Sequence, residues 1–125
     1  MRSGIIRSVL LIALSSVLAV TVVSQTRGNL EETDRYTRKT DARRFDFEVT
    51  DGTKAARLQV KFTIKSGRVE ARLVDPKGNV RLHIHGEDGQ LYGDSGDLEP
   101  IAGVWTLEMG LKDASGDYRI NWTAR

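Results

Sequence analysis

Residues 58–73 read LQVKFTIKSGRVEARL, and this stretch decides the fold. Its apolar side chains occupy every second position, namely Leu58, Val60, Phe62 and Ile64, then Val69, Ala71 and Leu73. Successive side chains of a β-strand point to opposite faces, so this alternation predicts two strands that each bury one face. Ser66-Gly67 separates the two runs and is typical of a turn.

The same period of two continues on both sides of this stretch. Apolar residues occupy every second position in four further runs: Phe45, Phe47 and Val49; Val80, Leu82 and Ile84; Trp105, Leu107, Met109 and Leu111; and Tyr118, Ile120 and Trp122. Turn residues separate the runs at Asp51-Gly52, Asp75-Pro76-Lys77-Gly78 and Ser115-Gly116-Asp117. Short strands at this spacing, without a helical period, predict an all-β domain over residues 45–125. We expect an antiparallel, jelly-roll-like β-sandwich of about seven to eight strands.

The N-terminal segment, residues 1–24, has the anatomy of an export signal. Arg2 and Arg7 supply positive charge, and an apolar run follows from Val9 to Val23. At about 15 residues the run is shorter than the roughly 20 that cross a bilayer, which favours a cleaved signal peptide. No Ala-x-Ala site follows it, so an uncleaved helical anchor through residues 5–23 stays open. Either way we expect a secreted or periplasmic domain.

Residues 25–44 contain interspersed charges, little apolar content and no regular period. This composition predicts a polar linker between the export segment and the domain.

Charge and cysteine content exclude several classes of function. The formal net charge of +2 comes from Arg2 and Arg7, since no acid stands among residues 1–24 and the rest of the chain is formally neutral. A neutral domain argues against a nucleic-acid partner, and contact with a membrane is expected only through the N-terminal segment. The chain has no cysteine, which excludes a disulfide framework, a thiolate metal site and a cysteine nucleophile.

Three segments carry a resemblance to a known family: residues 72–78 (RLVDPKG), residues 103–107 (GVWTL) and residues 116–122 (GDYRINW). In this order they resemble the jelly-roll sandwiches of the pre-peptidase C-terminal and proprotein-convertase P-domain type, within the galactose-binding-like class. Such domains accompany secreted enzymes and serve in stability, secretion or binding. The resemblance implies a module that is not an enzyme, and it supplies no catalytic residue to carry over.

His83 and His85 are candidate metal ligands. On a strand their spacing places both imidazoles on the face opposite Leu82 and Ile84, and with Glu87 or Asp88 they would suit copper or zinc. The simpler interpretation is polar residues on a solvated face. The glycine- and acid-rich segment from Gly86 to Glu99 also has the composition of a calcium loop, although its spacing does not match the Asp-x-Asp-x-Asp-Gly pattern.

Gly93-Asp94-Ser95-Gly96 reproduces the residues around the nucleophile of trypsin-like proteases, but a domain this small cannot hold the two barrels that such a protease needs. Among the aromatic residues, Trp105, Tyr118 and Trp122 alternate with aliphatic residues and are predicted to lie in the core. Tyr92 is predicted to be exposed.

The functional hypothesis is a non-enzymatic exported binding or accessory module without a cofactor. It would contact an envelope protein or a polysaccharide through loops at one end of the sandwich, with Tyr92, Asp94 and Asp97 as the binding residues. One alternative is a periplasmic copper- or zinc-binding protein that uses the His-x-His pair. Another is a small hydrolase with carboxylate chemistry in residues 87–99.

Overall fold

The computed structural model describes residues 20–27 and 29–125, with backbone pairing alone for the first of these ranges. Residues 1–19, which hold most of the predicted signal or anchor helix, lie outside the described part, and the remaining residues of that segment, 20–24, are in a strand instead of a helix. Within the described residues, no helix has the length and apolar character needed to cross a membrane.

Five long strands form one sheet. They are β1 (Val20–Arg27), β2 (Leu30–Val49), β3 (Ala56–Val74), β4 (Val80–Asp94) and β5 (Gly103–Ala124). Their order in the sheet is β1-β2-β5-β3-β4. The β2–β5, β5–β3 and β3–β4 pairs are antiparallel, whereas β1 runs parallel to β2. The predicted all-β class is therefore confirmed.

This sheet folds over on itself and becomes a sandwich. Trp105 and Trp122 both lie on β5, about 17 residues apart, and an extended strand would separate them by about 56 Å. Their ring centroids are only 5.9 Å apart. The ring of Phe47, near the end of β2, likewise stacks on Trp122 at 4.6 Å. Each of the four strands β2 to β5 thus contributes one segment to each layer, and these eight segments correspond to the seven to eight short strands that the sequence predicts.

A line of backbone irregularities marks the fold-over. Positive φ angles occur at Arg38 on β2, Gly67 on β3, Asp88 on β4 and Asp113 on β5. The strand registers shift at the same level. Gly67 has a φ of +80°, and a Cβ atom there would clash with the Asp113 carbonyl oxygen. We call the layer formed by residues 30–36, 56–64, 89–94 and 116–124 half-sheet A, and the layer formed by residues 41–49, 68–74, 80–87 and 103–111 half-sheet B.

The predicted turns at Ser66-Gly67 and Ser115-Gly116-Asp117 are wrong as chain reversals, because both lie inside continuous strands at the fold-over. Glycine appears there because the backbone bends sharply, not because the chain turns back. The turn after Asp75 is a true reversal: the Gly78 N–H donates to the Asp75 carbonyl at 2.9 Å, and the strands on either side pair.

The core lies between the half-sheets and contains the predicted alternating residues. Phe45, Phe47, Leu58, Phe62, Leu73, Trp105, Leu107, Met109, Leu111, Tyr118, Ile120 and Trp122 are its largest fully buried side chains. The inward positions of Trp105, Tyr118 and Trp122 are confirmed. Burying an aromatic side chain of this size contributes about 2–3 kcal/mol to the hydrophobic term.

The structure differs from the predicted linker over residues 25–44, since β2 begins at Leu30 and pairs with β5 along its length. Backbone hydrogen bonds hold this polar segment in the sheet. Arg43 adds a side-chain clamp: its guanidinium donates to Asp34 at 2.9 Å, to Asp41 at 3.0 Å and to the Tyr118 hydroxyl at 3.0 Å. A strand that backbone hydrogen bonds and ion pairs hold in place needs few apolar residues. Its composition is therefore similar to that of a polar linker.

Candidate functional site

The outer face of half-sheet A carries a row of four exposed side chains, one from each strand. The register places Thr33 of β2 beside Arg119 of β5, Arg119 beside Lys61 of β3, and Lys61 beside Tyr92 of β4. All four are exposed. We call this set the basic row. Its members occupy the outward-facing positions of strands whose inward-facing positions form the core.

Tyr92 ends the basic row and is held in place by its hydroxyl group. The Gln59 amide donates to the tyrosine oxygen at 3.1 Å, and the hydroxyl donates to Asp94 at 3.4 Å. The side chain is nevertheless 57% exposed. A ring that is both fixed and exposed can contact a ligand with little loss of side-chain entropy.

Asp94 organises the surroundings of Tyr92. Its carboxylate accepts two hydrogen bonds from the Arg57 guanidinium, at 2.5 and 3.0 Å, and one from the Gly96 N–H at 2.9 Å. The contact with Arg57, followed by the Gly96 N–H, lowers the pKa of Asp94 well below its ordinary value. A carboxylate with so low a pKa stays ionised at neutral pH and is poorly suited to general acid or base catalysis.

Two of the three predicted binding residues therefore come together, on a strand face instead of a loop. Tyr92 and Asp94 belong to β4, and Asp97 follows in the connection at residues 95–102. Asp94, and to a smaller degree Asp97, raise the pKa of Arg57. Most of the segment from Gly86 to Glu99, whose composition is that of a loop, belongs to β4, because the strand continues through glycines that carry no side chain to show the alternation.

Four residues of this surface were missed by the sequence reasoning: Arg57, Gln59, Lys61 and Arg119. Each occupies an outward position of a strand whose inward positions were recognised. The alternation thus contained the signal for their exposure. It contained no signal for their being neighbours, because that depends on the pairing of β3 with β5.

Lys61 and Arg119 are neighbouring cations on the outer face of half-sheet A. They stand directly opposite each other on β3 and β5. Among the described residues, neither has a carboxylate within 4.0 Å. Asp94, in the neighbouring row, is already occupied by Arg57.

The outer face of half-sheet B is arranged in the opposite way, with its charges paired. Arg72 donates twice to Glu108, at 2.7 and 3.2 Å. Another pair joins Arg44 to Asp46 at 3.2 Å, and a hydrogen bond of 2.5 Å joins the His83 Nε2 atom to Glu70. At the end of this layer the Asp75 carboxylate, with no exposed side-chain surface, accepts from Arg81 at 3.0 Å.

The candidate metal ligands do not converge. His83 and His85 lie on one face as predicted, with ring centroids 5.8 Å apart, but the Nε2 atom of His83 contacts Glu70. Glu87 and Asp88 lie at the fold-over, beside Arg68, Lys112 and Asp113, in a shallow recess of about 330 Å³. No group of three or more imidazole and carboxylate side chains suited to a metal ion is found within residues 29–125.

Ser95, at the centre of the protease-like tetrapeptide, has a structural role. Its hydroxyl donates to the Gly96 carbonyl at 2.7 Å and accepts from the Leu58 N–H at 2.9 Å. In the part of the chain that the structure describes, its partners are thus backbone groups, and the contacts fix the end of β4 against β3.

The sequence matches no protein-family model and no curated protein. Several solved structures superpose on this chain. The pre-peptidase C-terminal domain of a Bacillus anthracis collagenase superposes with a TM-score of 0.56 at 10% identity, covering 87% of this chain and 99% of that one. Aeromonas hydrophila PliG, a periplasmic inhibitor of g-type lysozyme, gives 0.47 at 10% identity, covering 86% and 100%. TmCBM61, in complex with β-1,4-galactotriose, gives 0.48 at 12% identity, covering 74% and 68%.

At 10% identity, the superposition on the collagenase domain supports a likeness of fold alone. The resemblance to pre-peptidase C-terminal domains that the sequence motifs carry is confirmed at that level, by a superposition that covers nearly the whole of the collagenase domain. What the protein does must be argued from its own surface.

Proposed function

We propose that this protein is a non-catalytic, exported binding module that contacts a protein or polysaccharide partner through the outer face of half-sheet A. Tyr92 is the centre of the contact, with Asp94 and Asp97 at its margin. Export rests on residues 1–24, whose charged start and apolar run have the anatomy of a signal.

The observation that carries the proposal is the presentation of Tyr92. Among the described residues, the other exposed large hydrophobic side chains are Val80 and Val104, at 49% and 50%. Only the tyrosine is aromatic and has its position fixed through its polar end. Aromatic side chains of this kind are enriched at contact surfaces because they bring a large area with few rotatable bonds.

The groups around Tyr92 favour binding over catalysis. The Asp94 carboxylate is committed to Arg57, and the Ser95 hydroxyl is committed to backbone groups. What remains available on the face is a ring, amides, hydroxyls, cations and, on the flanks, the carboxylates of Glu31 and Asp117, which can hold a ligand by contact and hydrogen bonding. The solved structure with the TM-score of 0.56 is a domain of a collagenase, so the fold also occurs as an accessory to an enzyme.

Site-specific photo-crosslinking in the producing cell tests the proposal. A benzophenone amino acid at position 92 should give a discrete adduct with a protein or a polysaccharide. The matched control places the same group at Val104, which is similarly exposed on the outer face of half-sheet B. Equal adducts at both positions, or none at position 92, would contradict the proposal.

A further inference from the structure

The basic row contains an arrangement that is unfavourable for the free protein. Lys61 and Arg119 are direct cross-strand neighbours, and like charges in that position repel each other. Neither has a carboxylate within 4.0 Å among the described residues, and both are exposed. An anionic group placed between them would remove the repulsion and gain two charge-assisted hydrogen bonds.

A second pair of like charges shows how the fold treats such neighbours elsewhere. Arg68 and Lys112 are also cross-strand partners on β3 and β5. There Glu87 stands opposite Arg68, and Asp88 and Asp113 line the same recess. Among the described residues neither pair has a carboxylate within 4.0 Å, but three carboxylates line the recess at the fold-over, whereas the carboxylates next to the basic row, Glu31 and Asp117, stand one row away on either side.

From these observations we infer that the basic row binds an acidic polysaccharide, with one sugar ring against Tyr92 and the carboxylates of neighbouring sugars on Lys61 and Arg119. The inference rests on the proposed function and names its ligand class. It extends the contact beyond Tyr92 and Asp94 to β5.

The geometry of the row suits an extended chain. Neighbouring strands are about 4.8 Å apart, so Tyr92, Lys61 and Arg119 follow one another at steps comparable to the length of one sugar unit. The apolar face of a pyranose ring packs on an aromatic ring, and each acidic sugar beyond it would meet a cation.

The flanking rows supply hydrogen-bonding groups of the kind that sugar hydroxyls use. Gln59 and Asn121 lie side by side on one flank, and Thr63 lies opposite Asp117 on the other. These side chains are half-buried, which limits their motion. A folded acidic protein would be expected to cover a larger apolar area than one tyrosine, so the polar face favours a carbohydrate.

Affinity electrophoresis of the full chain through gels containing polygalacturonate tests this inference. The control polymer is the same polysaccharide with its carboxyl groups reduced to alcohols. We expect retardation by polygalacturonate that weakens as salt rises from about 0.05 to 0.5 M, and at least about tenfold weaker retardation by the reduced polymer. Vesicles rich in phosphatidylglycerol form a separate arm.

A double substitution, Lys61→Gln with Arg119→Gln, should weaken the binding to polygalacturonate by at least about tenfold. The matched control, Arg68→Gln with Lys112→Gln, removes the same charge from the other cross-strand pair and should bind as the wild type does. Both variants alter exposed side chains, and their thermal unfolding is compared to show that each remains folded.

Each other outcome overturns the inference. Equal binding of the acidic and reduced polymers would leave the cations without a role, and equal loss in both double variants would show attraction by net charge alone. Binding to vesicles but not to polygalacturonate would assign the row to lipid. An adduct at position 92 without binding to polygalacturonate would overturn the inference while the proposed function stands. If the adduct is absent as well, both fail.

Discussion

The two outer faces of the sandwich are built from the same four strands, yet they use charge differently. On half-sheet B, arginines meet carboxylates: Arg72 contacts Glu108, and Arg44 contacts Asp46. On half-sheet A, Lys61 faces Arg119 beside the exposed ring of Tyr92. The first face pairs its own charges, whereas the second, beside its Arg57–Asp94 pair, also holds two neighbouring cations that an incoming ligand could satisfy.

The difference shows that a regular strand alternation determines which residues face solvent but not what the exposed face is for. Pairing at half-exposed sites contributes to stability by about 0.2–1 kcal/mol per pair. A like-charge pair destabilises by a similar amount. The repulsion between Lys61 and Arg119 thus lowers the stability of the free protein slightly, and an anionic ligand bound there would remove this repulsion.

The largest expected effect comes from the fold-over that separates the two faces. Gly67→Ala places a Cβ atom against the Asp113 backbone at a φ of +80°. We expect a loss of about 3 kcal/mol or more in the free energy of unfolding, because the backbone of a neighbouring strand must move to admit the Cβ atom and because alanine is strained at a positive φ. Gly78→Ala has a similar φ of +88° with open space around the Cβ atom and should lose only about 1 kcal/mol. Urea unfolding of both variants measures the difference, and equal losses would show that the fold-over is not tightly packed.

The next effect concerns Asp75, at the turn that closes half-sheet B. Its carboxylate accepts from the Lys77 and Asn79 N–H groups, at 2.8 and 2.9 Å, as well as from Arg81. Asp75→Asn should lower the free energy of unfolding by about 2–3 kcal/mol. The charge on Arg81 loses its partner, and the asparagine amide has one accepting oxygen where the carboxylate has two. A loss below about 0.5 kcal/mol in urea unfolding at neutral pH would contradict this role.

The same carboxylate gives a pH dependence. Burial opposes the ionisation of Asp75, but the hydrogen bonds from Asn79, Arg81 and Lys77 outweigh it and lower its pKa. The stabilisation is therefore complete above the unfolded value of about 4 and is lost as the pH falls through the lower folded value. Wild-type stability should fall more steeply below about pH 4 than that of Asp75→Asn, as measured by urea midpoints at each pH.

A smaller effect sharpens the comparison on the paired face. Glu108→Gln removes the charge that Arg72 contacts, and both side chains are only about one-fifth exposed. We expect a loss of about 1 kcal/mol, with no change in binding at the opposite face. Unchanged unfolding would mean that the pairing on half-sheet B contributes nothing measurable.

The smallest effect has the opposite sign. Lys61→Gln should raise the free energy of unfolding by about 0.3 kcal/mol, because it removes the repulsion from Arg119. Arg68→Gln should give no such gain in stability, because Arg68 stands opposite Glu87 and the substitution also removes an attraction. Thermal unfolding at low salt is the measurement, and a clear destabilisation by Lys61→Gln would show that the lysine has an intramolecular partner.

Much of the fold could be predicted from the alternation, because burial of one strand face is a local property of the sequence. The inward positions of Phe62, Trp105 and Trp122 follow from it directly. Two features could not be predicted. The first is the continuity of β3 through Gly67, because a glycine is equally compatible with a bend inside a strand and with a turn between strands. The second is the strand that begins at Leu30, because its structure depends on pairing with β5 and not on its own apolar pattern.

The candidate site was predictable only in part, for the same reason. Tyr92 could be identified as an exposed aromatic, and Asp94 as a polar neighbour two residues away. Lys61 and Arg119 are 58 positions apart in the chain and become neighbours only through the register of β3 with β5. The pairing of β3 with β4 brings Arg57 and Gln59 beside β4, where they contact Asp94 and Tyr92.

The most direct measurement is an NMR titration of the ¹⁵N-labelled protein with a short oligogalacturonate. The account predicts chemical-shift changes confined to the basic row and its flanks, at Thr33, Arg119, Lys61, Tyr92 and their neighbours, with half-sheet B unaffected. Changes centred on Arg72 and His83, or the absence of changes at ligand concentrations that saturate the gel assay, would contradict the assignment of binding to the outer face of half-sheet A.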